Sequence, residues 1–168
     1  MRVVTVRADV LWLGLAGALA TAALLGAWIF ELGLGYLPCK LCLWQRWPYY
    51  IGLPLALLGL FMAWSGADRR VVLVLGSLFA LVMLAGAALG VYHAGAEWKF
   101  WPGPTDCGGR IGAMPGSVDD FRKSLTTARV VRCDEAALRV LGLSFPGWNV
   151  LVSVACVAAT MLGLRRIP

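Results

Sequence analysis

Four apolar stretches, none containing a Lys, Arg, Asp or Glu, constrain this chain more than anything else in it: Val10 to Phe30, Trp47 to Trp64, Val71 to Tyr92 and Phe145 to Leu164. A hydrocarbon core roughly 30 Å thick is crossed by about 20 helical residues. Lipid offers the backbone no hydrogen-bond partner, so only helices and closed barrels span it, and continuous rather than alternating runs read as helices. With 60% of 168 residues hydrophobic and 14% charged, the polar residues are too few to coat a soluble domain. The expected fold is an all-α integral membrane protein, a four-helix transmembrane bundle forming one domain over residues 1–168. Its helices are predicted at about 10–30, 43–64, 71–93 and 145–164, with outer loops at 31–42 and 94–144.

The first run follows Arg2 and Arg7 but exceeds the roughly 7 to 15 residues of a signal-peptide core, so it is expected to be a retained helix. Leu37-Pro38-Cys39 looks like a lipoprotein cleavage site, yet Pro38 is a poor residue before a cleaved bond. The formal charge of +6 does not point to nucleic acid, because the basic residues are dispersed and many flank membrane segments. Arg2 and Arg7 precede the first helix, Arg69-Arg70 lie in a tight turn, and Arg165-Arg166 follow the fourth helix. By the positive-inside rule these ends face the cytoplasm, which puts both termini inside and both longer loops outside. The second loop carries seven Lys or Arg and six acids, which weakens that contrast but not the dense basic clusters at the other end.

That loop opens with Glu97-Trp98-Lys99-Phe100-Trp101, a mixture suited to the headgroup layer. Ser117 followed by Asp120 resembles a helix start, and Val118, Phe121 and Leu125 then share one face of a short surface helix. Asp134 to Leu141 reads as a second short helix, with Glu135 in its first turn and Arg139 in its last.

Cysteines stand at 39, 42, 107, 133 and 156, and the first four fall in the two loops assigned to one side of the membrane. Exposed thiols on an oxidising side are expected to pair, whereas Cys156 lies among Val154, Ala155, Val157 and Ala158 as a small packing residue. The natural pairs are Cys39 with Cys42 and Cys107 with Cys133. Cys39-Lys40-Leu41-Cys42 is a Cys-x-x-Cys motif, whose small ring suits rapid exchange. A plain bracing disulfide and a four-cysteine zinc site are the competing readings; zinc usually wants a second closely spaced pair, and no metal is assigned. If a helix begins near Cys42, Arg46 lies one turn on, and helix terminus and guanidinium would both favour the Cys42 thiolate. Arg46 either snorkels at the membrane edge or donates to the carbonyl of a lipid-soluble aromatic acceptor. His93, the only histidine, ends the third helix at the same depth, as an interfacial residue without a task or as part of that acceptor site.

Taken together, Pro38-Cys39-Lys40-Leu41-Cys42 with Gln45-Arg46, His93, Trp101-Pro102-Gly103-Pro104 before Cys107, and Cys133-Asp134-Glu135 before Leu141-Gly142-Leu143 resemble the DsbB family of bacterial disulfide-bond formation proteins. The resemblance covers nearly the whole chain. It implies oxidation of a periplasmic DsbA-like thioredoxin-fold protein, with reduction of ubiquinone or menaquinone in the inner membrane. By position it makes Cys107 the cysteine that forms the mixed disulfide with the partner, Cys133 its loop mate, and Cys42 the thiolate that engages the quinone. Cys39 would exchange with the second loop, and Arg46, with His93 nearby, would bind quinone. A DsbA-type partner near −120 mV is itself more oxidising than ordinary dithiol catalysts, so the relay must end in a stronger acceptor. A relative of vitamin K epoxide reductase would place its quinone-facing pair late in the chain rather than before the second helix. A non-catalytic scaffold braced by disulfides is the alternative from another class.

Overall fold

The computed structural model describes residues 7–104, 117 and 133–167. Helix α1 spans Ala8–Trp28 and runs into a π-helical turn, Ile29–Gly33. A short helix α2, Lys40–Trp44, is followed by α3, Trp47–Ser65, and then by α4, Arg69–Glu97. Strands β1, Arg139–Val140, and β2, Leu143–Ser144, form a minimal antiparallel hairpin that leads into α5, Phe145–Leu164. Among the described residues, four helical stretches are long and apolar enough to cross a membrane: Ala8–Gly33, Lys40–Ser65, Arg69–Glu97 and Phe145–Leu164.

Two of these stretches depart from the expected boundaries in ways that matter for the site. The second begins three residues earlier than expected but is broken at Gln45 and Arg46, because Pro48 in the first turn of α3 has no N–H with which to continue the α2 ladder. The third continues one turn past His93 to Glu97. The expected short helix over Asp134 to Leu141 is not present: Leu141 and Gly142 adopt φ of 51° and 83°, the left-handed pair of a two-residue hairpin turn, so the chain reverses there. The helix expected from Ser117, together with Arg2 and Cys107, lies outside the described residues.

Because lipid tails are as apolar as leucine, helix packing here rests on close approach of small residues rather than on hiding apolar surface. Ala16, Ala20, Ala56 and Ala159 line the centre with Tyr49, Phe79, Met83 and Cys156. A Cβ on Gly52 would lie 2.8 Å from Met83 Cε, and one on Gly90 would lie 2.7 Å from Val150 Cγ2. Leu11, Leu57, Phe61, Leu81 and Leu151 point outward and exposed, as a lipid-facing surface requires. One end of the bundle packs Leu13, Ala63, Val72 and Leu164, where Arg7, the turn before Arg69 and Arg165 converge. At the opposite end Cys39, Leu41 and Cys133 form a separate buried cluster.

Candidate functional site: a thiol pair over a membrane cavity

Pro38 leads an extended Cys39 into α2, and Cys39 caps that helix through its sulfur, which accepts from the Cys42 backbone N–H at 3.2 Å. One turn of helix then brings Cys42 Sγ to 2.8 Å from Cys39 Sγ, and both cysteines are free. Where Cys42 was expected to receive the helix terminus, the cap sits on Cys39 instead. The Cys39 thiol is pulled from 9.0 down to about 5, chiefly by the hydrogen bond from the Cys42 thiol; burial opposes this, and the His93 imidazole adds to it. Cys39 is therefore the favoured thiolate of the pair.

His93 is buried on α4 with Nε2 3.7 Å from Cys39 Sγ. Its Nδ1 lies 2.8 Å from the Gln45 side-chain amide nitrogen. That nitrogen can only donate, so the network assigns the imidazole proton to Nε2, facing the thiolate. The break between α2 and α3 is what turns Gln45 inward to make this contact. Cys133, in a disulfide, joins the same cluster: its sulfur, Cys39 Sγ and a His93 nitrogen lie within 4.8 Å of one another. Such spacing could suit a metal, but a disulfide sulfur is not the thiolate ligand that zinc takes. Lys99, at φ 63°, holds the Cys133 segment in place by donating to the Asp134 carboxylate at 2.8 Å and the Asp134 carbonyl at 3.0 Å. Trp101 folds back over Gly95, where a Cβ would collide with the indole, and donates to the Tyr92 carbonyl at 2.8 Å.

Beneath the sulfurs lies a cavity of about 340 Å³. Phe30, Phe145 and Val152 give it apolar walls, and Cys42, Gln45, Arg46 and His93 give it a polar side. Arg46 pairs with Glu31 of the π-helical turn and donates to the Ala27 carbonyl at 3.3 Å while lining the cavity. Tyr49 donates to Asn149 at 2.7 Å, and Asn149 donates to the Gly86 carbonyl at 3.0 Å, tying three helices together along another wall.

The structure thus brings Cys39, Cys42, Cys133, His93 and Arg46 to one end of the bundle, and Cys107 lies outside the described residues. Sequence reasoning gave no role to Gln45, Glu31 or Glu97. Glu97 was expected in the headgroup layer; its side chain is 3% exposed, with Oε1 4.0 Å from His93 Nε2. The i, i+4 spacing from His93 was the available signal, concealed by the aromatic and charged residues that follow.

Residues 9–163 match the family model described as disulfide bond formation protein DsbB. Disulfide bond formation protein B of Marinobacter nauticus is 31% identical over 162 residues, covering 91% of this chain and 90% of the relative. Disulfide bond formation protein B 1 of Pseudomonas fluorescens is 29% identical over 163 residues, 92% and 89% of the two chains. An uncharacterised protein of Rickettsia prowazekii is 24% identical over 133 residues, 79% and 74% of the two. No solved structure matches the chain.

Proposed function

The chain belongs to the DsbB family, and from that premise we propose that it oxidises the dithiol of a DsbA-like periplasmic protein and passes the two electrons to a membrane quinone. The carrying observation is the contact of two redox elements above one cavity: a free Cys-x-x-Cys pair and a disulfide-bonded Cys133 within 4.8 Å of Cys39. A brace would need Cys39 and Cys42 bonded to each other; free, with one favoured as thiolate, they suit exchange.

The cavity fits a quinone ring. Its apolar walls match a planar aromatic head; Arg46 would donate to a carbonyl oxygen, and His93, which also lines the cavity, would act there through the Cys39 sulfur. Bound ubiquinone or menaquinone would supply a two-electron, two-proton acceptor. The chain's own residues do the rest. Cys107 takes the partner's attacking thiolate in a mixed disulfide, which the partner's second thiol resolves, leaving Cys107 and Cys133 reduced. Their dithiol then attacks the Cys39–Cys42 disulfide, with Cys39 as the sulfur that exchanges with the second loop. His93 Nε2–H and the Cys42 donors favour Cys39 as a leaving thiolate, which makes its disulfide easier to reduce. Cys42 faces the cavity and hands on the electrons as the Cys39–Cys42 bond re-forms.

The test is quinol formation by the detergent-purified chain with a reduced DsbA-like substrate and a soluble benzoquinone. Wild type should turn over and Cys39→Ala or Cys42→Ala should not, while Cys133→Ala should accumulate a mixed disulfide on Cys107. Full turnover by Cys39→Ala would sink the relay.

A further inference from the structure

Glu97 is left over by this mechanism, and it is the anomaly of the site. Its carboxylate is enclosed at the end of a membrane-spanning helix, and its Oε2 has no hydrogen-bond partner among the described residues. Oε1 lies 4.0 Å from His93 Nε2, beyond hydrogen-bond length. Arg46 is engaged on Glu31 and Lys99 on Asp134. A buried carboxylate with neither counter-ion nor donor is costly, and a carboxylic acid is not.

His93 sharpens the point. With Nδ1 occupied by Gln45, its single N–H at Nε2 lies between Cys39 Sγ at 3.7 Å and Glu97 Oε1 at 4.0 Å. One N–H serves one anion. Two negative charges sharing it would repel, whereas a thiolate on one side and a protonated acid on the other would not. Glu97 also lines the cavity, together with Cys42. The other titratable groups around the cavity are Tyr36, Cys39, Cys42, Arg46 and Tyr49 from the segment containing α2 and α3, His93 on α4, and Glu135 of the second outer loop.

We propose that Glu97 stores the proton that Cys39 gives up and delivers it to the quinone. The inference rests on the quinone-linked reading above. In the reduced pair Cys39 is a thiolate, Cys42 a thiol and Glu97 a carboxylic acid. As the S–S bond forms, the two sulfurs lose two electrons, Cys42 loses its proton and Glu97 loses its own. Both electrons and both protons leave on the quinol, and Glu97 remains as a carboxylate that takes over the His93 N–H. When an incoming dithiol reduces the Cys39–Cys42 disulfide again, it supplies two protons. One ends on Cys42 and the other returns to Glu97, so charge balances at each step.

Two measurements on the full chain in detergent test this, and the first needs no quinone. Infrared difference spectra on reduction with dithiothreitol should show a carboxylic-acid carbonyl band in wild type, shifted in Glu97→Asp and missing in Glu97→Gln. Single-turnover quinol formation from reduced protein and a soluble benzoquinone should fall about a hundredfold in Glu97→Gln, the scale of a lost general acid. Dithiothreitol should still reduce the Cys39–Cys42 disulfide of that variant, and Glu97→Asp should recover part of the rate. No band in wild type, a band that persists in Glu97→Gln, or an unchanged rate in Glu97→Gln would each overturn the proposal. If wild type forms no quinol at all, the quinone-linked reading fails, and the dithiothreitol spectra still decide whether Glu97 takes up the proton.

Discussion

At Cys39 the Cys42 thiol, the Cys42 backbone N–H and the His93 imidazole all act on one sulfur. Because the folded thiol is depressed from 9.0 to about 5, the thiolate stabilises the reduced chain fully above the unfolded value. That stabilisation is lost as pH falls through about 5. A thiolate absorbance titration of the reduced chain should therefore show a component with a midpoint about 5, missing in Cys39→Ser. The thermal midpoint of reduced wild type should climb from pH 5 to 9 more steeply than that of the variant; parallel curves would show that Cys39 is not the depressed group. Cys156 is the contrasting case. It is fully buried in α5, donates weakly to the Ala16 carbonyl at 3.5 Å and does not line the cavity. Cys156→Ala should keep quinone turnover within about tenfold, the equivalent of some 1.4 kcal/mol of barrier, and a larger loss would mean that the thiol takes part in the relay. The four described cysteines thus divide by location, which their positions in the sequence already indicated, while the choice of Cys39 over Cys42 as helix cap did not appear there.

The elements that matter most at the site are the irregular ones. The break at Gln45 and Arg46 aims one side chain at His93 and the other at Glu31, and the π-helical turn presents Glu31 to meet it. A continuous helix from Cys42 would have stacked Arg46 above Cys42, as the four-residue spacing suggested. Pro48 was visible in the sequence, but a proline in a first helical turn is compatible with a helix that simply begins there, so the short α2 before it was not legible. Between α4 and α5 the Lys99–Asp134 pair holds the chain around Cys133 close to the end of α4. Lys99 is 62% exposed, and such a bridge contributes little to overall stability. Its effect should appear in the placement of Cys133: Lys99→Ala should slow exchange between the two cysteine pairs by about fivefold, the ceiling for a surface bridge of about 1 kcal/mol. Quinol formation by a chain already reduced at Cys39 and Cys42 should not change in that variant. Rapid-quench thiol trapping separates the two steps, and an equal slowing of both would argue for a general loosening of the fold instead.

Across the described residues, Arg7, Ile167 and the turn before Arg69 gather at one end and Cys39, Cys42 and Cys133 at the other. By the positive-inside rule the end with Arg7, Arg69, Arg70, Arg165 and Arg166 should face the cytoplasm. A membrane-impermeant maleimide should then label a cysteine introduced at Leu141, which is 88% exposed, in intact cells, and should label one introduced at Ser65 only after permeabilisation. The opposite pattern would invert the topology. Hydropathy alone was enough to determine the four spans, because a segment that must bury its backbone in lipid needs a length and composition that no other role demands. The cysteine spacing and the flanking residues were enough to indicate a disulfide-bond formation protein of the DsbB family. Only the tertiary structure decided that Arg46 is paired, that Gln45 orients His93, and that Glu97 is enclosed beside them. Those facts depend on which way a broken helix turns and on how far α4 extends, and both are settled by packing between segments distant in the chain, which periodicity within one segment does not encode.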